Sequence, residues 1–103
     1  MKYVMAWTSR LGGSGKENEE GVQRALEVFS KWQPAAGTTI HQFVGRLDAE
    51  GGFAVVETDN PAEVLEAAGK FAPFVMYQVY PVVDVGEWAQ AVQAGVDFRD
   101  SIG

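Results

Sequence analysis

The chain has 103 residues, 47% hydrophobic and 21% charged, which suits one soluble domain with a core and excludes a disordered segment. Eight Lys and Arg stand against fourteen Asp and Glu, a net charge of −6. The clustered cations that hold nucleic-acid phosphates or anionic lipids are missing, so no nucleic acid and no membrane partner is expected.

The absence of Cys removes disulfides, a thiolate nucleophile and finger-type zinc sites. Three Trp, three Tyr and six Phe exceed what a small core needs. They imply a second apolar surface or a pocket.

Lys2 to Ser9 reads as a strand, with Tyr3, Met5 and Trp7 on one side and Val4, Ala6 and Thr8 on the other. Both sides are largely apolar, so both are expected to be covered. The run Tyr3 to Trp7 is too short for a signal-peptide core. No stretch approaches the roughly 20 apolar residues of a membrane span. A cytoplasmic protein is expected.

Arg10 to Lys16, RLGGSGK, resembles the end of a phosphate-binding loop, GxxxxGK[ST]. Arg10 stands where the first Gly belongs, however, and Glu17 replaces the hydroxyl that would hold Mg²⁺. The stretch therefore reads as a Gly-rich connector. Glu17 to Trp32 follows as an amphipathic helix with Val22, Ala25, Leu26, Phe29 and Trp32 on one stripe. Ser14 with Glu17, or Asn18 itself, caps its start, and Pro34 and Gly37 stop it.

Thr38 to Leu47 and Phe53 to Thr58 form a hairpin, with Asp48 to Gly52 as its Gly-containing turn. Asn60-Pro61-Ala62-Glu63 starts a second helix that carries Val64, Leu65 and Ala68 inward and ends near Gly69. A last strand runs from Phe74 to Val83. Pro81 removes a ladder donor from it, which places it at a sheet edge. Asp84 and Glu87 repeat the capping pattern for a third helix, with Val85, Trp88, Val92 and Val96 as its stripe.

Strand, helix, strand, strand, helix, strand, helix is an α+β order: a ferredoxin-like βαββαβ unit with an added C-terminal helix. Its crossovers put two helices on one face of a four-stranded antiparallel sheet. The smaller set Val4, Ala6, Ala54, Val56, Val75 and Val79 is expected to face those helices. Tyr3, Met5, Trp7, Phe53, Val55 and Met76 then occupy the other face, with His41, Phe43, Glu57, Gln78 and Tyr80 among them. Monomers rarely leave so aromatic a face exposed. A homodimer with a cavity between the sheets is expected.

YVMAWT from Tyr3, GRLDAEGGFAVVETDNPAEV from Gly45 and FVMYQVYPVVD from Phe74 resemble a small family known as a domain of unknown function. That family is similar to the dimeric α+β-barrel superfamily. The resemblance covers Tyr3 to Asp84. It implies a dimer with a pocket on each sheet, and relatives that include cofactor-free monooxygenases, haem-degrading enzymes, chlorite dismutase-like proteins and stress-response barrels. It implies no catalytic residue, because the family has no agreed activity.

His41 is the one side chain that titrates near neutrality without perturbation. On an apolar face it suits a general base oriented by Glu57 or Tyr80. As a haem ligand it lacks any supporting motif. Arg46 suits an anion clamp or a pair with Asp48 or Glu50. Tyr3, Met5, Trp7, Phe43, Phe53, Met76 and Gln78 are the candidate ligand walls, with Tyr77 as a packing residue. One His and scattered carboxylates give no metal-ligand spacing, so no metal and no cofactor is expected. The reading is a homodimeric domain that binds a small apolar or aromatic ligand. The alternatives are a cofactor-independent monooxygenase- or isomerase-like enzyme with His41 as base, and a structural dimer without a pocket.

Overall fold

A computed structural model describes all 103 residues. The elements are β1 (Lys2–Ser9), α1 (Gly15–Lys31), β2 (Thr39–Gly45), β3 (Gly51–Glu57), α2 (Pro61–Phe71), β4 (Val75–Val82) and α3 (Val85–Ser101). The four strands form one antiparallel sheet in the order β2-β3-β1-β4. This is the ferredoxin-like α+β arrangement. β4 lies at an edge, where Pro81 needs no outer partner.

The helix starts follow from local chemistry. Ser14, not Asn18, caps α1: its Oγ accepts the Glu17 N–H at 3.1 Å. Asn18 instead accepts the Gly12 N–H at 3.0 Å and so closes the Gly-rich loop. Asn60 Oδ1 accepts the Ala62 N–H at 3.1 Å, ahead of Pro61 in the first turn of α2. Asp84 departs from expectation. Its carboxylate makes no capping bond because Lys2 Nζ donates to it at 2.7 Å.

The β2–β3 turn is tighter than the sequence suggests, and Gly51 and Gly52 belong to β3. The Arg46 N–H donates to the Gly51 carbonyl at 2.8 Å and the Ala49 N–H to the Arg46 carbonyl at 3.1 Å. Asp48 Oδ1 accepts the Glu50 N–H at 3.0 Å, and Arg46 pairs with Asp48. Ala49 adopts φ 62°, the left-handed region. A Cβ on Gly51 would meet the Trp7 carbonyl oxygen at 1.9 Å. One on Gly52 would meet the Val44 carbonyl oxygen at 2.3 Å and the Trp7 indole at 2.4 Å. Two strands and a ring close over these glycines.

The core corrects the assignment of faces. Tyr3, Met5, Ala54, Val56 and Val64 are buried together, with Trp7, Ile40, Ala67, Ala68 and Tyr77 packed against them. Val64, Ala67 and Ala68 belong to α2, so the helices cover Tyr3, Met5 and Trp7, not Val4 and Ala6. The reason is volume. α2 presents alanines to a gap about 10 Å thick between layers, and only the large set on β1 fills it. Leu65, expected inward, is 74% exposed, because α2 turns Val64, Ala67, Ala68 and Phe71 to the sheet instead.

Phe43 is also on the helix side, against expectation. The pairing of β2 with β3 shifts between Ile40 and Gln42, so Ile40 faces Val56 and Phe43 faces Ala54 across the ladder. His41 is the extra residue of a bulge. Without it, regular alternation would have put His41 and Phe43 on one face.

α3 buries no residue. The chain measures 62 × 31 × 21 Å with a radius of gyration of 18.0 Å, where a compact chain of this length has about 13 Å. It exposes 7474 Å², about 1,800 Å² more than a folded monomer of this size. No helix is long and apolar enough to cross a membrane.

Candidate functional site

Two candidate sites lie on opposite faces of the sheet. The first is a cleft between α1 and the strands. The apolar stripe of α1 is directed at the sheet, yet α1 buries no residue fully. Beneath it lies a cavity of about 280 Å³ lined only by Trp7, Ala25, Leu26, Phe29, Phe43, Phe71, Val75 and Tyr77. A deeper void of about 40 Å³ adjoins it, walled by Met5, Trp32, Ile40 and Ala54 among others.

The rings in the cleft form one cluster centred on Phe43. Trp7 meets Phe43 edge to face at 5.3 Å, and Phe29 and Trp32 meet it likewise at 5.8 and 6.4 Å. Phe71 closes the group at 5.8 Å from Trp32. Such pairs add about 0.5–1.5 kcal/mol each beyond burial. Burial raises the pKa of the Tyr77 hydroxyl above the ordinary phenol range, so it stays neutral at physiological pH. The chemistry on offer is apolar contact and ring stacking.

The second site is the open face. Cross-strand pairing puts Lys2, Val4 and Ala6 of β1 beside Glu57, Val55 and Phe53 of β3, and beside Val82, Tyr80 and Gln78 of β4. Met76 follows, opposite Thr8. His41 Nε2 lies 2.7 Å from Glu57 Oε1, joined across β2 and β3 by the bulge. The hydrogen bond with His41 holds the Glu57 carboxyl below its ordinary pKa against a smaller opposing effect of burial; the imidazole charge adds to the lowering. Both side chains are accessible, His41 at 40% and Glu57 at 47%. A carboxylate-oriented imidazole can accept a proton, provided a substrate reaches its free nitrogen.

The residues read from sequence therefore divide. His41 and Glu57 come together. Tyr80 does not join them: it lies on the opposite edge strand, about 14 Å away across three strand spacings, and its hydroxyl donates to Gln78 at 2.7 Å. Phe53, Met76 and Gln78 lie on the open face as expected. Tyr3, Met5, Trp7 and Phe43 lie on the other, and of these Trp7 and Phe43 wall the cleft. Tyr77, read as a packing residue first, joins the wall from β4; Phe29, Trp32 and Phe71 complete the cleft but were not among the expected ligand walls. The signal for them was aromatic residues on the inward stripes of both helices. No group of three or more metal-ligating side chains occurs.

The fold and the paired sites define an α+β domain of the ferredoxin-like kind. The chain belongs to the family described as Domain of unknown function (DUF3303), whose profile matches residues 1–96 and so runs well into α3, beyond the Asp84 limit drawn from sequence. Its structure is similar to that of SnoaB, a cofactor-independent oxygenase from Streptomyces nogalater. The two are 16% identical, the match covers 81% of this chain and 92% of that one, and the TM-score is 0.35. None of the curated proteins matches the sequence.

Proposed function

We propose that the protein is a homodimeric binding domain whose α1 cleft holds a small apolar or aromatic ligand. The observation that carries this is the cleft of about 280 Å³ lined by eight apolar residues, five of them aromatic (Trp7, Phe29, Phe43, Phe71 and Tyr77). Its size is near the lower end of small-molecule pockets, right for one or two fused rings. The homodimer rests on the open face, whose Phe53, Met76 and Tyr80 are about half exposed and form an apolar row that a second copy would cover.

The test is titration of naphthalene and 1-naphthol, read by tryptophan fluorescence and calorimetry. Ala25→Phe fills the cleft and is expected to weaken binding at least tenfold, while Phe53→Ala on the open face leaves cleft affinity unchanged. Unchanged affinity in Ala25→Phe overturns the site. Failure of both probes to bind the native protein favours a dimer without a pocket. Sedimentation at micromolar concentration tests the dimer, and a monomer there overturns it.

The 2.7 Å pair of His41 and Glu57 supports a second reading, a cofactor-independent oxygenase- or isomerase-type enzyme with His41 as base. The pair lies across the sheet from the cleft, so this reading needs a substrate bound on the open face. His41→Gln is then expected to abolish turnover and leave cleft binding intact. Loss of cleft binding in that variant would contradict the separation of the two sites.

A further inference from the structure

We infer that α3 is an exchanged arm: in the homodimer proposed above, each α3 lies across the open sheet face of the other copy and shuts the His41–Glu57 pair away from water. The inference rests on that homodimer and adds to it which element makes the contact.

Four observations converge. First, α3 carries exposed apolar side chains with no partner on its own chain. Val85, Trp88 and Val92 share one side and are 79%, 58% and 45% exposed, while Gln90 and Asp97 take the opposite side. A lone helix of this length is marginal in water, so its apolar side needs a surface. Second, α3 does not find that surface on its own chain: it buries nothing and extends the molecule to 62 Å. Lys2 holds Asp84 at its base at 2.7 Å, which ties the start of the arm to the first residues of β1.

Third, the dimensions agree. Seventeen residues of helix span about 25 Å. Four strands at about 4.8 Å spacing are narrower than that, so one arm crosses a whole sheet. The row it would cover, Val4, Ala6, Phe53, Val55 and Met76, is apolar, with the paired His41 and Glu57 at its β2–β3 end. Fourth, the excess exposure of about 1,800 Å² per chain would give a shared interface of about 3,600 Å², the range of obligate dimers and beyond that of transient ones. A groove of about 650 Å³ between Pro81, Val82, Val83 and Trp88 continues the apolar surface from β4 onto the arm.

The chain has no native Cys, so engineered thiols report contact without background. Ala6→Cys (open face) and Val92→Cys (arm) are prepared singly, refolded together and oxidised, and the products read by non-reducing electrophoresis and mass spectrometry. A disulfide joining one chain of each kind is expected, in high yield and only in the mixture. The double variant is expected to give linked dimers, and Val92→Asp to weaken dimerisation at least a hundredfold in sedimentation. An internal disulfide in monomers of the double variant overturns the inference, since the arm then folds back on its own sheet. Efficient linkage of Val92→Cys with itself also overturns it, in favour of arm-to-arm pairing. A dimer that forms no mixed disulfide refutes the arm exchange and leaves the homodimer standing. A monomer refutes both.

Discussion

Replacing Gly52 by Ala tests the close packing beneath Trp7. The added Cβ would stand 2.3 Å from the Val44 carbonyl oxygen and 2.4 Å from two carbons of the Trp7 indole. Either contact needs about another ångström to be tolerable, since ordinary van der Waals approach is about 3.5 Å or more. The indole cannot retreat freely, because Phe43 packs edge-on at 5.3 Å. The β2–β3 ladder or the ring cluster must therefore yield. Overpacking costs about 1–3 kcal/mol, and disturbing the Trp7–Phe43 pair adds about 0.5–1.5 kcal/mol. A loss of about 2–4 kcal/mol lowers the melting temperature of a chain this size by roughly 8 °C or more.

The matched control is Gly45→Ala, across the ladder from Gly52, where a Cβ meets nothing within 4 Å. Its effect is expected within about 0.5 kcal/mol. Urea unfolding of the two variants measures the difference directly, with an unchanged m-value showing that compactness is preserved. Tryptophan emission shows whether Trp7 has moved. Melting of Gly52→Ala within about 2 °C of Gly45→Ala, against the shift expected from its overpacking, would refute the reasoning.

Other outcomes follow from single groups. Ala49→Gly relieves a left-handed residue and is expected to stabilise by up to about 1 kcal/mol, less whatever Gly adds to the freedom of the unfolded chain; thermal melting reads it. Asn60→Ala removes the α2 cap and is expected to cost about 1 kcal/mol in urea unfolding. Asp48, Glu57 and Asp84 all have carboxyl pKa values held down in the folded chain: Asp48 first by the Glu50 N–H, Glu57 by His41 and Asp84 by Lys2. Depressed carboxyl values contribute stability above the ordinary carboxyl range and lose it as pH falls through the folded values. Urea midpoints are thus expected to hold from pH 7 to 5 and to drop below about pH 4. Lys2 is raised by the Asp84 hydrogen bond. Its contribution is present below the ordinary lysine value and lost as pH climbs through the raised one, and Lys2→Met is expected to flatten the alkaline end of the profile.

The helix starts were legible because they depend on a few consecutive residues: Ser14 before Glu17, and Asn60 before Pro61. Pro81 alone placed β4 at an edge, since a missing N–H is a property of one residue. The topology followed from the order of elements. The facing of β1 did not, because both of its sides are apolar and the choice depends on volumes supplied by α2, sixty residues away. Nor did the partition of the candidate site. Phe43 parted from His41 through a one-residue offset that leaves no mark in composition or periodicity. Tyr80 parted from His41 because strand order, which sets the distance between edges, is a property of the whole sheet.

That offset has a consequence for how the two faces can change. A residue in a regular strand is bound to its neighbours by alternation, so inserting or deleting one turns every later side chain over. His41 stands outside that rule, as the extra member between two stretches of β2 that are each in step with β3. Excising it would join Ile40 to Gln42 in a regular ladder and leave Phe43 where it is. The cleft would keep its central ring and the open face would lose its only imidazole. The basic side chain is in this sense a detachable insert, and the wall of the cleft is written in a frame of its own.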